Sequence, residues 1–203
     1  MSKVTKMPKI FPQYKEEAKK KIIQAAMTVG ARKGYQTMTM EDIAGEVGVT
    51  KGALYVYFRN KEDLFNEVMI GISDRIRETM EYSRTGGDLN TVLNRMSENL
   101  FSVMTPNIPV FAELVSISSR DPVMHRRVAD MLQRNIQIIE EELQTLQMQK
   151  MIDEDMDLKS AVRSVVALSQ GLGIGVFLGA DREETKLLWI ESMKKILGIP
   201  MQR

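Results

Sequence analysis

The residue types in this chain rule out much chemistry before any fold is considered. Its 203 residues include no cysteine and one histidine, His125. Disulfides, thiolate metal sites and cysteine nucleophiles are therefore excluded. His125 stands beside Arg126 and Arg127 and reads as a surface residue. Asp153, Glu154, Asp155 and Asp157 crowd one connection. A divalent cation site is conceivable there, but acids also favour helix N-termini, and a solvated loop capping a helix from Leu158 is the better reading. No H-E-x-x-H spacing and no nucleophile–base pair occurs. The sequence assigns no catalytic residue, no metal ligand and no cofactor.

What remains is the chemistry of meeting a polyanion. The stretch Val49-Thr50-Lys51-Gly52-Ala53-Leu54-Tyr55-Val56-Tyr57-Phe58 must be helical to bury Leu54 and Phe58 together. On a helical wheel those two share the side that meets Ile43 and Val47. Gly52, Tyr55 and Val56 take the far side. Thr50 and Lys51 occupy the N-terminal end, where amides and a partial positive charge favour phosphate. Gly52 removes a side chain where a backbone must come close. A phenol at Tyr55 can hydrogen bond a base edge, and a methyl of Val56 can meet thymine. Tyr57 sits to one side, placed for a phosphate. Thr39 and Lys61, at the starts of the flanking helices, suit phosphate clamps. The bland alternative packs Tyr55 and Tyr57 on a neighbouring domain and leaves Lys51 solvated.

The elements that must position these residues are legible as helices. Residues 1–12 read as a flexible basic arm with Lys3, Lys6 and Lys9. From about Gln13, Ile22, Ile23, Ala26, Met27 and Gly30 recur at helical spacing, and Gly34 ends the helix. Thr39 with Asp42 forms a capping box for a short helix carrying Ile43, Ala44 and Val47, which Gly48 breaks. Thr50 caps a third helix running to about Phe58. Asn60 caps a fourth, with Asp63 completing a box and Leu64, Phe65 and Val68 starting its buried face. A helix, a glycine-bearing turn and a second helix is the helix-turn-helix layout.

The longer pattern Thr39-x-x-Asp42-Ile43-Ala44-x-x-Val47-Gly48-Val49-Thr50-Lys51-Gly52-x-Leu54-Tyr55-x-Tyr57-Phe58-x-Asn60-Lys61-Glu62-x-Leu64 resembles the N-terminal signature of the tetracycline-repressor (TetR) family. Ile22-Ile23-x-Ala25-Ala26 and Lys33-Gly34-Tyr35 resemble it too, so the likeness covers about residues 19–68. It implies dimers that bind palindromic operators, usually as repressors, with a small molecule in the C-terminal domain releasing the DNA. It places Thr39, Thr50, Lys51, Gly52, Tyr55, Tyr57 and Lys61 at positions that commonly meet DNA. Val56 departs from the frequent aromatic or histidine and leaves base preference open there.

Downstream, helices are expected over 89–104, 109–118, 122–148, 158–179 and 182–197, with Arg84 to Asp88 a loop. The fold is all-α: a helix-turn-helix domain over 13–60 and a helical body over 61–203. Gly171, Gly175 and Gly179 recur every four residues, at about 1 kcal/mol each inside a helix. Close helix approach is one reason, and a frayed helix end another. With Leu188, Trp189 and Met193 of the last helix, these glycines are the expected dimer interface, a four-helix arrangement that the resemblance suggests. The chain has 16 methionines. Phe101, Met104, Phe111, Leu114, Met124, Met131 and Phe177 are the expected lining of an apolar ligand pocket, with plain core packing as the alternative.

Charge is uneven. Residues 1–65 hold 12 Lys and Arg against 7 Asp and Glu, a net of +5, and residues 66–203 hold 16 against 20, a net of −4. A basic head on an acidic body suits a protein whose head alone meets a polyanion. No signal peptide is evident, and the uncharged run Ser164 to Ala180 reads as a buried core helix rather than a membrane span. The expected partners are an operator duplex, a small-molecule inducer and a second copy of the chain, with no membrane, in the cytoplasm. The other readings are a helical scaffold or ligand-binding protein without DNA function, and a carboxylate or metal enzyme.

Overall fold

The computed structural model describes residues 12–83 and 88–199, and for residues 12, 13, 79, 82 and 83 the backbone only. The expected basic arm lies outside the described residues except for Pro12, as do Arg84 to Gly87 of the expected loop. The described residues form nine α-helices and one 3₁₀ turn, with no strand among them. They are α1 (Pro12–Lys33), α2 (Met40–Val47), α3 (Lys51–Tyr55), α4 (Lys61–Ser83), α5 (Leu89–Met104), a 3₁₀ turn (Thr105–Asn107), α6 (Ile108–Ser118), α7 (Pro122–Met148), α8 (Leu158–Phe177) and α9 (Arg182–Ile196).

The chain divides into two compact units, Met1–Val68 and Met69–Arg203. The sequence reading sets its boundary at Lys61. The division falls further on because the first two turns of α4 fill the head: Leu64, Phe65 and Val68 are buried, and the Phe65 ring lies 4.5 Å from that of Tyr35. The rest of the head core is Ile22, Ala26 and Val29 of α1, Ile43 and Ala44 of α2, and Leu54 and Phe58 around α3. Along α1 those residues recur at spacings of four and three, as a single buried stripe requires.

In the body, α9 packs on α5 and α8, and α7 packs on α6 and α8. Its core joins Val92, Leu93, Met96 and Phe101 of α5, Leu143 and Leu146 of α7, Val162 and Val165 of α8, and Trp189 and Met193 of α9. The buried indole Nε1–H of Trp189 donates to Ser169 Oγ at 2.9 Å, which satisfies the one polar atom its burial strands. Two stretches, Leu89–Ser118 and Leu158–Phe177, are long and apolar enough to cross a membrane by composition. The first is two helices joined by the 3₁₀ turn, and α5 and α8 supply residues to the body core.

Helix ends follow the sequence closely. Asp121 accepts from the N–H groups of Val123 and Met124 ahead of Pro122, and Asp181 accepts from Glu184 N–H. Asp157 accepts from the N–H groups of Lys159 and Ser160, so one member of the acidic cluster is a helix cap.

Two expectations about the body need correction. Trp189 and Met193 are each only 1% exposed within one chain, so neither is available to a dimer interface. The large apolar residues α9 exposes are Leu187 and Leu188. Phe177, at the end of α8, is 47% exposed and does not line an interior pocket. Phe101, Leu114, Met124 and Met131 are buried, and Met104 and Phe111 half-buried.

The glycines of α8 also separate by role. A Cβ on Gly171 would meet nothing within 4 Å, and one on Gly175 would only touch Ala180 at 3.9 Å. Gly179 follows the helix end at φ 106°, a left-handed conformation. The close approach is at Gly173, outside the every-fourth pattern. A Cβ there would stand 3.3 Å from Met104 Cε and 3.6 Å from Ile108 Cδ1.

Candidate nucleic-acid interface

The helix-turn-helix is built by local rules. Thr39 Oγ1 accepts from Asp42 N–H at 3.1 Å, and Asp42 Oδ2 accepts from Thr39 N–H at 3.0 Å, closing a reciprocal box at the start of α2. Gly48 ends α2 at φ 80°, a conformation that costs any residue with a Cβ. Its N–H and that of Val49 both donate to Ala44 O. The chain then turns into α3, where Thr50 Oγ1 accepts from Ala53 N–H at 3.3 Å. The helix proper is shorter than the sequence suggests. It ends at Tyr55, and the N–H groups of Tyr57 and Phe58 both close on Leu54 O. Leu54 and Phe58 are nevertheless buried together, at 0% and 2% exposure.

The outward face of α3 and its exit carries Gly52, Tyr55 at 48% exposed and Val56 at 67%. Thr39, Thr50 and Lys51 are exposed, and Tyr57 is half-buried. Nothing but Thr50 Oγ1, at 3.9 Å, would stand near a Cβ on Gly52. The surface there is open, and two apolar-bodied side chains stand in it without covering one another's helix.

Lys61 does not stand as a clamp reaching outward. Its Nζ donates to the carbonyl oxygens of Tyr35, Gln36 and Met38 at 3.0, 3.2 and 3.2 Å, and lies 4.7 Å from the centroid of the Tyr35 ring. All three of its protons are thereby used. The ammonium fastens the turn between α1 and α2 to the start of α4. The reading of Lys61 as a phosphate contact is replaced by that of a positioning residue, because the turn carbonyls of Tyr35, Gln36 and Met38, which follow α1, accept from it.

Sequence reasoning also missed how fully the acids of α2 engage nearby cations. Lys33 Nζ stands 2.6 Å from Asp42 Oδ1, Arg32 Nη2 3.1 Å from Glu46 Oε2, and Lys51 Nζ 3.1 Å from Glu41 Oε2. The Lys33 ammonium, with the Thr39 amide and hydroxyl, holds the Asp42 carboxyl at about 2, below its ordinary 3.8. The Glu41 carboxylate raises the Lys51 ammonium above its usual value. The signal was in the sequence, since Glu41, Asp42 and Glu46 all belong to one short helix. Their partners lie on α1 and α3 and required the tertiary fold.

The fold and this geometry define the class: a helix-turn-helix domain followed by a helical body. Residues 22–68 match the family profile described as bacterial regulatory proteins, tetR family. The chain is 28% identical over 118 residues to the HTH-type transcriptional regulator YfiR of Bacillus subtilis, covering 56% of this chain and 58% of that one. It is 40% identical over 68 residues to the fatty acid metabolism regulator protein of the same organism, covering 32% of this chain and 35% of that one. The match thus spans a little over half of one relative and about a third of the other. Among solved structures, the fatty acid degradation regulator FadR from Bacillus halodurans superposes with a TM-score of 0.65 at 21% identity, over 90% of this chain and 99% of that one. Residues 22–68 thus resemble the helix-turn-helix domain of the tetR family, and the likeness to FadR extends a shared fold over the helical body.

Proposed function

We propose that the chain is a sequence-specific DNA-binding transcriptional repressor, acting in the cytoplasm as a homodimer on a palindromic operator. The observation that carries this is the outward face of α3, where Tyr55 and Val56 stand exposed beside an uncovered Gly52. Thr39, Thr50, Lys51 and Tyr57 surround that face as contacts to phosphate, while Tyr55 and Val56 read base edges. The second chain packs on Gly171 and Gly175 of α8 and on Leu187 and Leu188 of α9, which are open or exposed in one chain. The DNA-binding domain is taken as residues 13–68, extended past Lys61 to include the buried turns of α4.

The body binds a small apolar or amphipathic molecule among Phe101, Met104, Phe111, Leu114, Met124 and Met131, and that molecule lowers operator affinity. Coupling of about 1–3 kcal/mol, or 5–150-fold, is ordinary for such regulators. Reciprocity supplies the check by calorimetry: saturating operator weakens inducer binding by the same factor, and equal affinities in the two titrations exclude a molecule as inducer.

Retention of duplex DNA that falls steeply with added salt separates this reading from a scaffold or an enzyme. Within it, competition binding with operator variants assigns the contacts. Tyr55→Phe and Val56→Ala change which base is preferred. If both variants lose affinity equally for every duplex, α3 is not reading bases.

A further inference from the structure

The three ion pairs made by α2 differ in what they hold together. Asp42–Lys33 and Glu46–Arg32 join α2 to the end of α1. Glu41–Lys51 instead bridges the first turn of α2 to the first residue of α3, on the face where DNA contacts are proposed. Its side chains are 71% and 45% exposed. An ion pair so open to water adds little to the fold. The packing of α2 on α3 is already fixed by the buried Ile43, Ala44 and Leu54. The carboxylate is also the wrong sign for a surface that meets phosphate.

We propose that Glu41 is a specificity residue that holds the Lys51 ammonium away from DNA phosphate until a cognate site draws it off. On an arbitrary duplex the head lies imperfectly seated, Lys51 stays with Glu41, and the carboxylate repels the backbone. On the operator, correct docking of Tyr55 and Val56 brings a phosphate to Lys51, and the ammonium exchanges one anionic partner for another. Glu41 thus weakens indiscriminate binding more than cognate binding, which widens the ratio between them. This inference rests on the DNA-binding reading above.

The test uses the full chain and four proteins: the unmutated one, Glu41→Gln, Lys51→Gln and the double variant. Each is titrated by fluorescence anisotropy onto a random-sequence duplex and onto the duplex that the unmutated protein enriches most from a random pool, across a salt series. Glu41→Gln is isosteric and exposed, and circular dichroism verifies the helices. Glu41→Gln is expected to raise affinity for the random duplex about three- to tenfold at low salt. Its log–log salt slope steepens by about 0.9 per head, because the freed Lys51 neutralises one more phosphate. Enriched-duplex affinity changes less, so discrimination falls. In the Lys51→Gln background the added affinity disappears.

Three results overturn the proposal. An equal rise on both duplexes makes Glu41 a general repulsive charge. An unchanged rise without Lys51 removes the exchange. A loss confined to the enriched duplex makes Glu41 itself a base contact, accepting from a cytosine amino group. If the unmutated protein retains no duplex at the lowest salt and enriches none, the DNA-binding reading fails first and this inference with it. Binding by the unmutated protein therefore tells the two failures apart.

Discussion

Replacing Lys61 by methionine keeps the stem and removes the ammonium that three carbonyls of the α1–α2 turn accept from. A hydrogen bond to a charged group contributes about 1.5–3 kcal/mol net when buried. Lys61 is half-buried, so water takes over part of what is lost. The cation over the Tyr35 ring adds about 0.5–1 kcal/mol at such a site. A loss of about 2–3 kcal/mol follows for Lys61→Met. In a unit the size of the head, 1 kcal/mol moves the midpoint about 4–8 °C, so its melting transition falls by about 10–20 °C. The two units report separately. The one tryptophan, Trp189, lies in the body core, while four of the five tyrosines lie before residue 61. Calorimetry then shows the head transition moving while tryptophan emission melts as before. Amide exchange at Tyr35 to Met40 accelerates in the same variant. Unmoved melting together with an even loss of affinity for every duplex would refute this, and would restore Lys61 to the role of a phosphate contact.

Other outcomes follow from the same geometry. The Asp42 carboxyl is depressed to about 2, so the stability it lends is fully present above its ordinary 3.8 and is lost as pH falls through about 2. Asp42→Asn therefore flattens the acid limb of the head's melting curve between about pH 4 and pH 2, and a limb of unchanged steepness contradicts the Lys33 pairing. Gly175→Leu meets only Ala180 within its own chain and replaces a poor helix former. Helicity and tryptophan emission are expected to persist while sedimentation equilibrium shows monomers; a dimer that survives moves the interface elsewhere.

Most of the helical order was legible because helices declare themselves locally. The box of Thr39 and Asp42, the stop at Gly48 and the caps at Asp121, Asp157 and Asp181 each involve residues within a few positions of one another. The outward set on α3 was legible for the same reason: one step of helical phase separates Leu54 from Tyr55. What the sequence hid depends on partners far along the chain. The carbonyls that hold Lys61 lie 23 to 26 residues before it. Lys51 is ten residues from Glu41 across a turn. An apolar last helix has two possible faces, and only packing of Trp189 against Ser169 and the rest of the core says which one turns inward. Gly173 stands outside the every-fourth pattern, and its close approach is to Met104 and Ile108 of distant elements.

The central claim is that the outward face of α3 reads sequence. It is tested most directly by selecting duplexes from a random pool with the full chain, and repeating the selection with Val56→Ala. The unmutated protein is expected to enrich a two-fold symmetric site whose half-sites are centred about 34–36 Å apart, or a multiple of that. Val56→Ala is expected to enrich the same site with altered preference at one position in each half. No enrichment at low salt, or an identical site from both proteins, would contradict it.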